Sequence, residues 1–399
     1  MNSPAVSASP ASGRLFKLLS LLWLAGAATR IPILSVPPVL PLIHDDLHLS
    51  ETQVGLLVAL PLVLFAVAAI PGSLLIARIG VLFTIIAGLV VAALGSAARG
   101  AAVDLTTLYA ATIFMSFGIA IMQPALPQLV QQWMPQRIAL GTAVYTNGIL
   151  IGTTTTAALT IPVVLPLVAH NWRYALMLWS VLVVLTALVL IVLAPWEKVA
   201  VRTGGISFAA WWPDWKSPVI WQLGAAFAAN NSIFFGANAF LPDYLASQGR
   251  SDLISAALGW INGGQLTASF VLLAAGQRMH RRAWPFLIFG TTALASLIAT
   301  MAASGGWVVL LAAILGFSTS ITYVMLLALP AVLSSPQDVH RTAAGMFTIS
   351  YTCGVIIPTV SGALWDMSGA PWTAFVPFAL CAVVLIASGM RLTRLPSVP

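Results

Sequence analysis

Apolar runs of about 20 residues, separated by short polar breaks, fill most of the chain. A run of that length crosses a bilayer core as one α-helix. The pattern predicts twelve membrane helices, over 15–43, 52–77, 80–98, 106–131, 139–168, 174–194, 218–246, 253–275, 284–303, 306–333, 342–367 and 372–392. One long polar stretch, 195–217, divides them six and six. The expected organisation is a tail 1–14, a six-helix bundle 15–194, a linker 195–217, a second six-helix bundle 218–392 and a tail 393–399. The fold class is an all-α polytopic membrane protein.

Composition excludes the other classes. Only 27 of 399 residues are charged, or 7%, and 60% are apolar. Soluble domains carry roughly 25% charge, and a chain this apolar buries too much surface to stay disordered. The net charge of +7 does not point to nucleic acid, because no basic cluster stands on a soluble segment. In membrane proteins such an excess reports orientation. With the N-terminus placed in the cytoplasm, thirteen basic residues fall inside and three, Arg99, Arg173 and Arg250, fall in outer loops. Both termini are therefore expected to be cytoplasmic. The small polar start, Met1 to Gly13, lacks the pattern of a cleaved signal, so the first apolar run is expected to remain as a helix.

Chemistry-bearing clusters are scarce. Cys353 and Cys381 lie in apolar stretches without metal spacing, and all five histidines fall in loops. The segment His44-Asp45-Asp46-Leu47-His48 is taken as a solvated loop rather than a metal site. Phosphate loops, nucleophile elbows and zinc spacings are not found. The chain is expected not to be an enzyme and to need no cofactor or metal.

The halves echo each other. At an offset of 201, Leu40-Pro41 meets Leu241-Pro242 and Ser50 meets Ser251; at 204, Arg137-x-Ala139-x-Gly141 meets Arg341-x-Ala343-x-Gly345; at 200, Trp172 meets Trp372. Matches in order at nearly one offset point to a duplicated six-helix unit. Parallel six-helix repeats with a site between them near the midplane are the plan of major facilitator transporters.

The chain resembles that superfamily. Its most specific piece is Arg30-Ile-Pro-Ile-Leu-Ser-Val-Pro-Pro-Val-Leu-Pro-Leu-Ile43, followed by Leu49-Ser50 and Val54-Gly55-Leu56-Leu57. It is similar to the first-helix signature of the cyanate permease and 2-nitroimidazole transporter family. Leu60-Pro61, Asn171-Trp172-Arg173 and Phe240-Leu241-Pro242 extend the likeness over most of the chain. The resemblance implies cyanate or a nitroimidazole-like solute without fixing either, and a monomer. One departure stands out. Where the superfamily usually has an Asp in Gly-x-Leu-x-Asp-Arg-x-Gly-Arg-Arg, this chain has Ala77, within Ser73-Leu-Leu-Ile-Ala-Arg-Ile-Gly80, and the basic tail is gone. The gating ion pair of that Asp must be absent or replaced.

Arg30 is the unusual charge. It lies about 14 residues into the first helix, roughly 21 Å from its start at 1.5 Å per residue. An arginine near the bilayer centre costs about 2.5 kcal/mol or more and cannot escape by deprotonating. It should face a cavity or a partner. All ten acids fall in loops or at helix ends, so an ion pair would need Asp243 or Asp366 to reach inward. A planar cation without a carboxylate suits a small planar anion or a nitro group. Arg30 is therefore the expected substrate anchor.

Further candidates are amides and tyrosines. The 201 offset sets Asn231 opposite Arg30; Asn238 shares its face, whereas Asn230 is turned about 100° away. Asn262 and Gln265 share a face of the eighth helix. Tyr145, Tyr323 and Tyr351 fall within helices, and Gln123 and Asn147 are possible cavity donors. For each, helix packing with an internal hydrogen bond is the alternative role. The Thr153–Thr156 hydroxyls are expected on helix carbonyls. Gly141, Gly148 and Gly152 should allow close helix packing, and Trp23, seven residues before Arg30, is expected on the same face. Pro32, Pro37, Pro38 and Pro41 should bend the first helix at an outer gate.

The functional expectation is a secondary or facilitative carrier of a small anion or planar electron-rich solute, working by alternating access in the inner membrane. Efflux of neutral or aromatic drug-like compounds is the alternative. A receptor or scaffold without flux fits the repeat less well. No carboxylate or histidine lies at membrane depth in the sequence, so pH dependence should follow the substrate's own pKa more than any protein group.

Overall fold

The computed structural model describes residues 10–49, 51–196, 210–279 and 282–392. The linker charges Lys198 and Arg202, together with Arg281 and Arg394, lie outside the described residues, as does the tail 393–399. The described chain is helical throughout, and each of the twelve apolar runs forms a helix or a broken helix.

The first run is in pieces: α1 (Pro10–Ala28), α2 (Ile31–Leu34), a 3-10 turn (Pro37–Val39) and α3 (Leu40–Leu47). Four prolines remove amide donors within ten residues, so no continuous ladder can form. Then come α4 (Glu51–Ile79) and α5 (Val81–Gly100), followed by α6 (Leu105–Met122) and α7 (Ala125–Trp133), which break at Gln123-Pro124. The fifth run is α8 (Ile138–Leu159), a π turn (Thr160–Val164) and α9 (Leu165–Leu167), and the sixth is α10 (Trp172–Leu193). The second half has α11 (Pro218–Ser247), α12 (Ile254–Met279), α13 (Trp284–Ala302), α14 (Gly306–Ala328), α15 (Pro330–Leu333), α16 (Val339–Ser368) and α17 (Val376–Leu392).

Among the described residues, ten helical units are long and apolar enough to cross a membrane. The other two long units, α11 and α12, carry the amides Asn230, Asn231, Asn238, Asn262 and Gln265. Their lower apolarity marks them as helices with a polar interior face.

Helices α1–α10 pack chiefly on one another, through α1–α8, α5–α6, α4–α6 and α5–α10. The second group is joined through α11–α16, α11–α17, α12–α14 and α13–α14. Between the groups, α4 packs on α16 and α8 on α12 and α14. Glycine sets one decisive approach, as the sequence led us to expect. A methyl at Gly26 would strike the Tyr145 carbonyl, and one at Gly148 would strike the Trp23 carbonyl. The α1–α8 pair is thus close to backbone contact. Gly152 also packs on α1, whereas Gly141 packs on Val130 of α7.

One end of the bundle carries the 210–217 segment. There the groups are tied together. Ser73 Oγ donates to the Trp211 carbonyl at 2.6 Å, Arg341 Nε to Trp212 O at 3.0 Å and Gln128 Nε2 to Pro336 O at 3.2 Å. His340 Nε2 lies 3.2 Å from the Ala210 carbonyl. Ala77 lines a cavity at this end with Gln128 and His340. Hydrogen bonds to backbone carbonyls hold this end where the family pattern would have an ion pair.

At the opposite end, Arg173 pairs with Asp46 at 2.6 Å, tying α10 to α3. Asp104 caps α6. Its carboxylate accepts from the Thr107 amide at 2.7 Å, and these bonds hold its pKa below the ordinary carboxylate value. Arg99 departs from expectation. Its place is the last turn of α5 rather than an outer loop, and it is 1% exposed.

Candidate functional site

A cavity of about 240 Å3 lies between the two groups of helices. From the first group it is lined by Arg30, Leu34, Thr146, Ile149, Leu150, Thr153 and Thr154. From the second come Asn230, Asn231, Phe234, Phe235, Asn262, Gln265, Leu266, Thr319, Ser320 and Tyr323.

Arg30 sits at the break between α1 and α2. Its carbonyl accepts from the Ile33 and Leu34 amides, which starts the short α2, while its own amide donates to Ala27 O. The backbone turn thus delivers the side chain into the cavity, where it is only partly buried. Its guanidinium carbon is 5.8 Å from the Phe65 ring centroid, within cation–π range. Tyr323 lines the same cavity, and Tyr351 packs on the Phe65 ring that Arg30 faces. No carboxylate pairs with it among the described residues, whose ion pairs are Arg173–Asp46 and Arg341–Asp338. Asp243 and Asp366 are exposed and do not reach inward.

The tyrosines converge. Tyr145 is buried near Tyr323 and Tyr351, and its hydroxyl has no partner among the described residues. Rings support the cluster. Phe65 packs on Tyr351 at 5.2 Å, Phe227 on Tyr323 at 5.1 Å and Phe347 on Tyr351 at 6.0 Å. Tyr323 lines the cavity with Arg30, whereas Tyr145 and Tyr351 are buried behind it and are not among the described residues of its lining. A forked cation beside a hydroxyl, held by apolar walls, favours a ligand with acceptor oxygens. Sequence reasoning missed Phe65, Phe227 and Phe347, because a phenylalanine in an apolar helix carries no distinguishing signal.

The amides divide into two sets. Asn231 donates to Ser350 Oγ at 2.8 Å, and Asn230 accepts from Thr322 Oγ1 at 2.6 Å. Both line the cavity, so the expectation that Asn230 turns away is corrected. The space is wide enough for adjacent residues to reach it, one braced by α16 and the other by α14. Gln265, Asn262 and Asn238 form a relay: Gln265 Nε2 donates to Asn262 Oδ1 at 3.4 Å, and Asn262 Nδ2 donates to Asn238 Oδ1 at 3.2 Å.

Asn147 has a different place. It accepts from Trp23 Nε1 at 2.9 Å and donates to Ser269 Oγ at 2.7 Å, so it links α1, α8 and α12 across the two groups. Neither it nor Gln123 is among the described residues lining the cavity. Gln123 stands at the α6–α7 break, largely buried. Of the threonine run, Thr156 donates to the Gly152 carbonyl as expected, whereas Thr153 and Thr154 line the cavity.

The sequence profile described as Major Facilitator Superfamily matches residues 20–357. The chain is 26% identical to the "Uncharacterized transporter YycB" of Bacillus subtilis (strain 168), covering 90% of this chain and 88% of that one. It is 23% identical to the "2-nitroimidazole transporter" of Escherichia coli (strain K12), covering 94% and 95%. It is 25% identical to the "Cyanate transport protein CynX" of the same organism, covering 94% and 96%. Among solved structures, it superposes on the transporter FucP in the outward conformation with a TM-score of 0.75 at 15% identity, covering 94% and 98%. That likeness concerns the fold.

Proposed function

The chain belongs to the Major Facilitator Superfamily, a family of transporters, and from that premise we propose that it carries a small anion or a planar, electron-rich solute. Nitro- and carboxylate-bearing molecules and cyanate-like ions are the substrate class. The carrying observation is Arg30: a cation facing a central cavity that Tyr323 also lines, with no carboxylate paired with it among the described residues. An acceptor-rich solute completes the site. The names of two relatives, a cyanate and a 2-nitroimidazole transporter, support this reading.

Transport proceeds by rocking of two six-helix bundles, 15–194 and 218–392, around the cavity. All twelve helices cross the inner membrane of a bacterial-type cell, with both termini in the cytoplasm, as the distribution of basic residues favours. The protein works as a monomer. Ties between the groups at the 210–217 end support an outward-facing state, and the Asn147–Ser269 bond must break when that end opens. Arg30, Tyr323, Tyr145, Tyr351, Asn231, Asn262 and Gln265 contact substrate or set the shape of its site. Asn147 acts as a tie between the bundles, and Gln123 has no contact role.

Efflux of neutral aromatic compounds draws support from Phe234 and Phe235 in the cavity wall. The volume of about 240 Å3 weighs against drug-sized cargo, whose pockets run to roughly 300–1,000 Å3. Purified protein should gain thermal stability with cyanate or 2-nitroimidazole, because a ligand bound only by the folded state stabilises it. The shift should vanish in Arg30→Ala. Vesicle flux inhibited by neutral aromatics but indifferent to small anions would overturn the anion reading.

A further inference from the structure

A second arginine, Arg99, lies inside the helices without a carboxylate. It is 1% exposed, in the last turn of α5, and it faces the broken stretch of the first helix. Its Nη2 donates to the Pro32 carbonyl at 2.5 Å and lies 3.1 Å from Ser96 Oγ and 3.4 Å from Ser35 Oγ. The Pro32 carbonyl also accepts from Ser35 Oγ at 2.9 Å. A buried carbonyl next to a helix break needs such donors. Pro32 is two residues from Arg30, so the bond that fixes this carbonyl also fixes the turn from which Arg30 projects. Further out, Arg173 joins Asp46 at the end of α3 and approaches the Ala102 carbonyl at 3.3 Å. The whole outer stretch, Ile31–Leu47, is thus fastened to α5 and α10.

We propose that Arg99 is the positioning residue of the substrate site: it pins the broken first helix to α5 and thereby holds Arg30 in the cavity. The outer stretch then moves with the first bundle as one body, and the proline cluster does not act as an independent hinge. The part concerning substrate rests on the anion-site reading above; the part concerning helix position does not.

The test has two arms. In a Cys353→Ser, Cys381→Ser, Arg173→Ala background, which removes the clamp on Asp46 and Ala102, spin labels at Asp45→Cys and Val103→Cys report the distance between the outer ends of the first helix and α5. The distribution should be narrow with Arg99, broad in Arg99→Ala and largely restored in Arg99→Lys. In the second arm, cyanate and 2-nitroimidazole are the probes of affinity and flux. Arg99→Ala should raise KM about tenfold, since small displacements of a positioned group carry large costs. Its maximal rate should change little, and Arg99→Lys should recover most of the affinity. An unchanged distance distribution in Arg99→Ala overturns the proposal, even if the protein is less stable. So does an unchanged KM alongside a lower melting temperature. Failure of both probes to bind the parent protein would remove the anion reading, while the distance arm would still decide the role of Arg99.

Discussion

The first apolar run and the seventh solve the same problem differently. Arg30 and Asn231 correspond at an offset of 201. The first helix is broken beside its charge, and side chains of α5 and α10 hold the fragments. The seventh, α11, runs unbroken for 30 residues past Pro242, and its amide rests on Ser350 of α16. The break turns a cation into the cavity. The intact rod offers a neutral wall of fixed shape. One half supplies charge, and the other supplies shape and neutral hydrogen bonds.

Substitution of the two matched residues gives the largest test of that asymmetry. Arg30→Ala should cut flux of an anionic substrate about 100-fold, since charge-assisted hydrogen bonds contribute about 1.5–3 kcal/mol each and 1.4 kcal/mol is a factor of ten. Asn231→Ala should cost about tenfold, the scale of a neutral bond. Equal losses in a vesicle uptake assay would mean the halves contribute alike.

Much of the architecture was legible from hydrophobic pattern alone, because each apolar run had to bury its backbone polar groups in a helix. Arg30, Asn231, Tyr323, Asn262 and Gln265 stood out for the same reason: polar groups at membrane depth need an explanation. Arg99 did not, since a cation at the end of an apolar run reads as an orientation signal. Only the three-dimensional approach of Pro32 shows where it goes. Asn230 was lost to a face argument that assumes a narrow cavity, and Gln123 stands at the α6–α7 break, outside the described lining.

Glycine substitution comes next in size. Gly148→Ala pushes a methyl into the α1 backbone and should cost about 1–3 kcal/mol, an overpacking penalty. Gly354→Ala in α16 meets open space and should gain up to about 1 kcal/mol from helix propensity. Thermal unfolding in detergent distinguishes the two, and equal effects would show that the α1–α8 approach tolerates a methyl.

Tyr145→Phe removes an unpartnered buried hydroxyl. It should leave stability unchanged or slightly higher and raise KM about two- to tenfold if that hydroxyl donates to substrate. A wild-type KM would reduce Tyr145 to packing.

The smallest effect belongs to the α6 cap. Because Asp104 has a lowered pKa when folded, its contribution is full above the unfolded carboxyl pKa of about 3.9 and fades as pH falls through the lower folded value. Asp104→Asn should therefore lower the melting temperature slightly at pH 7 and not at all in strong acid.

That no carboxylate pairs with Arg30 among the described residues also has an electrical consequence for the proposed anion carrier. On that proposal an empty carrier turns around with one positive charge in its centre, whereas a carrier loaded with a monovalent anion turns around neutral. Membrane voltage then acts on the unloaded return and leaves the loaded step alone. A full elementary charge crossing the field feels about 2.3 kcal/mol per 100 mV, and a charge near the midplane feels only the fraction of the field it traverses. Current recorded from protein on a solid-supported membrane should accompany the return step, and Arg30→Gln should silence it.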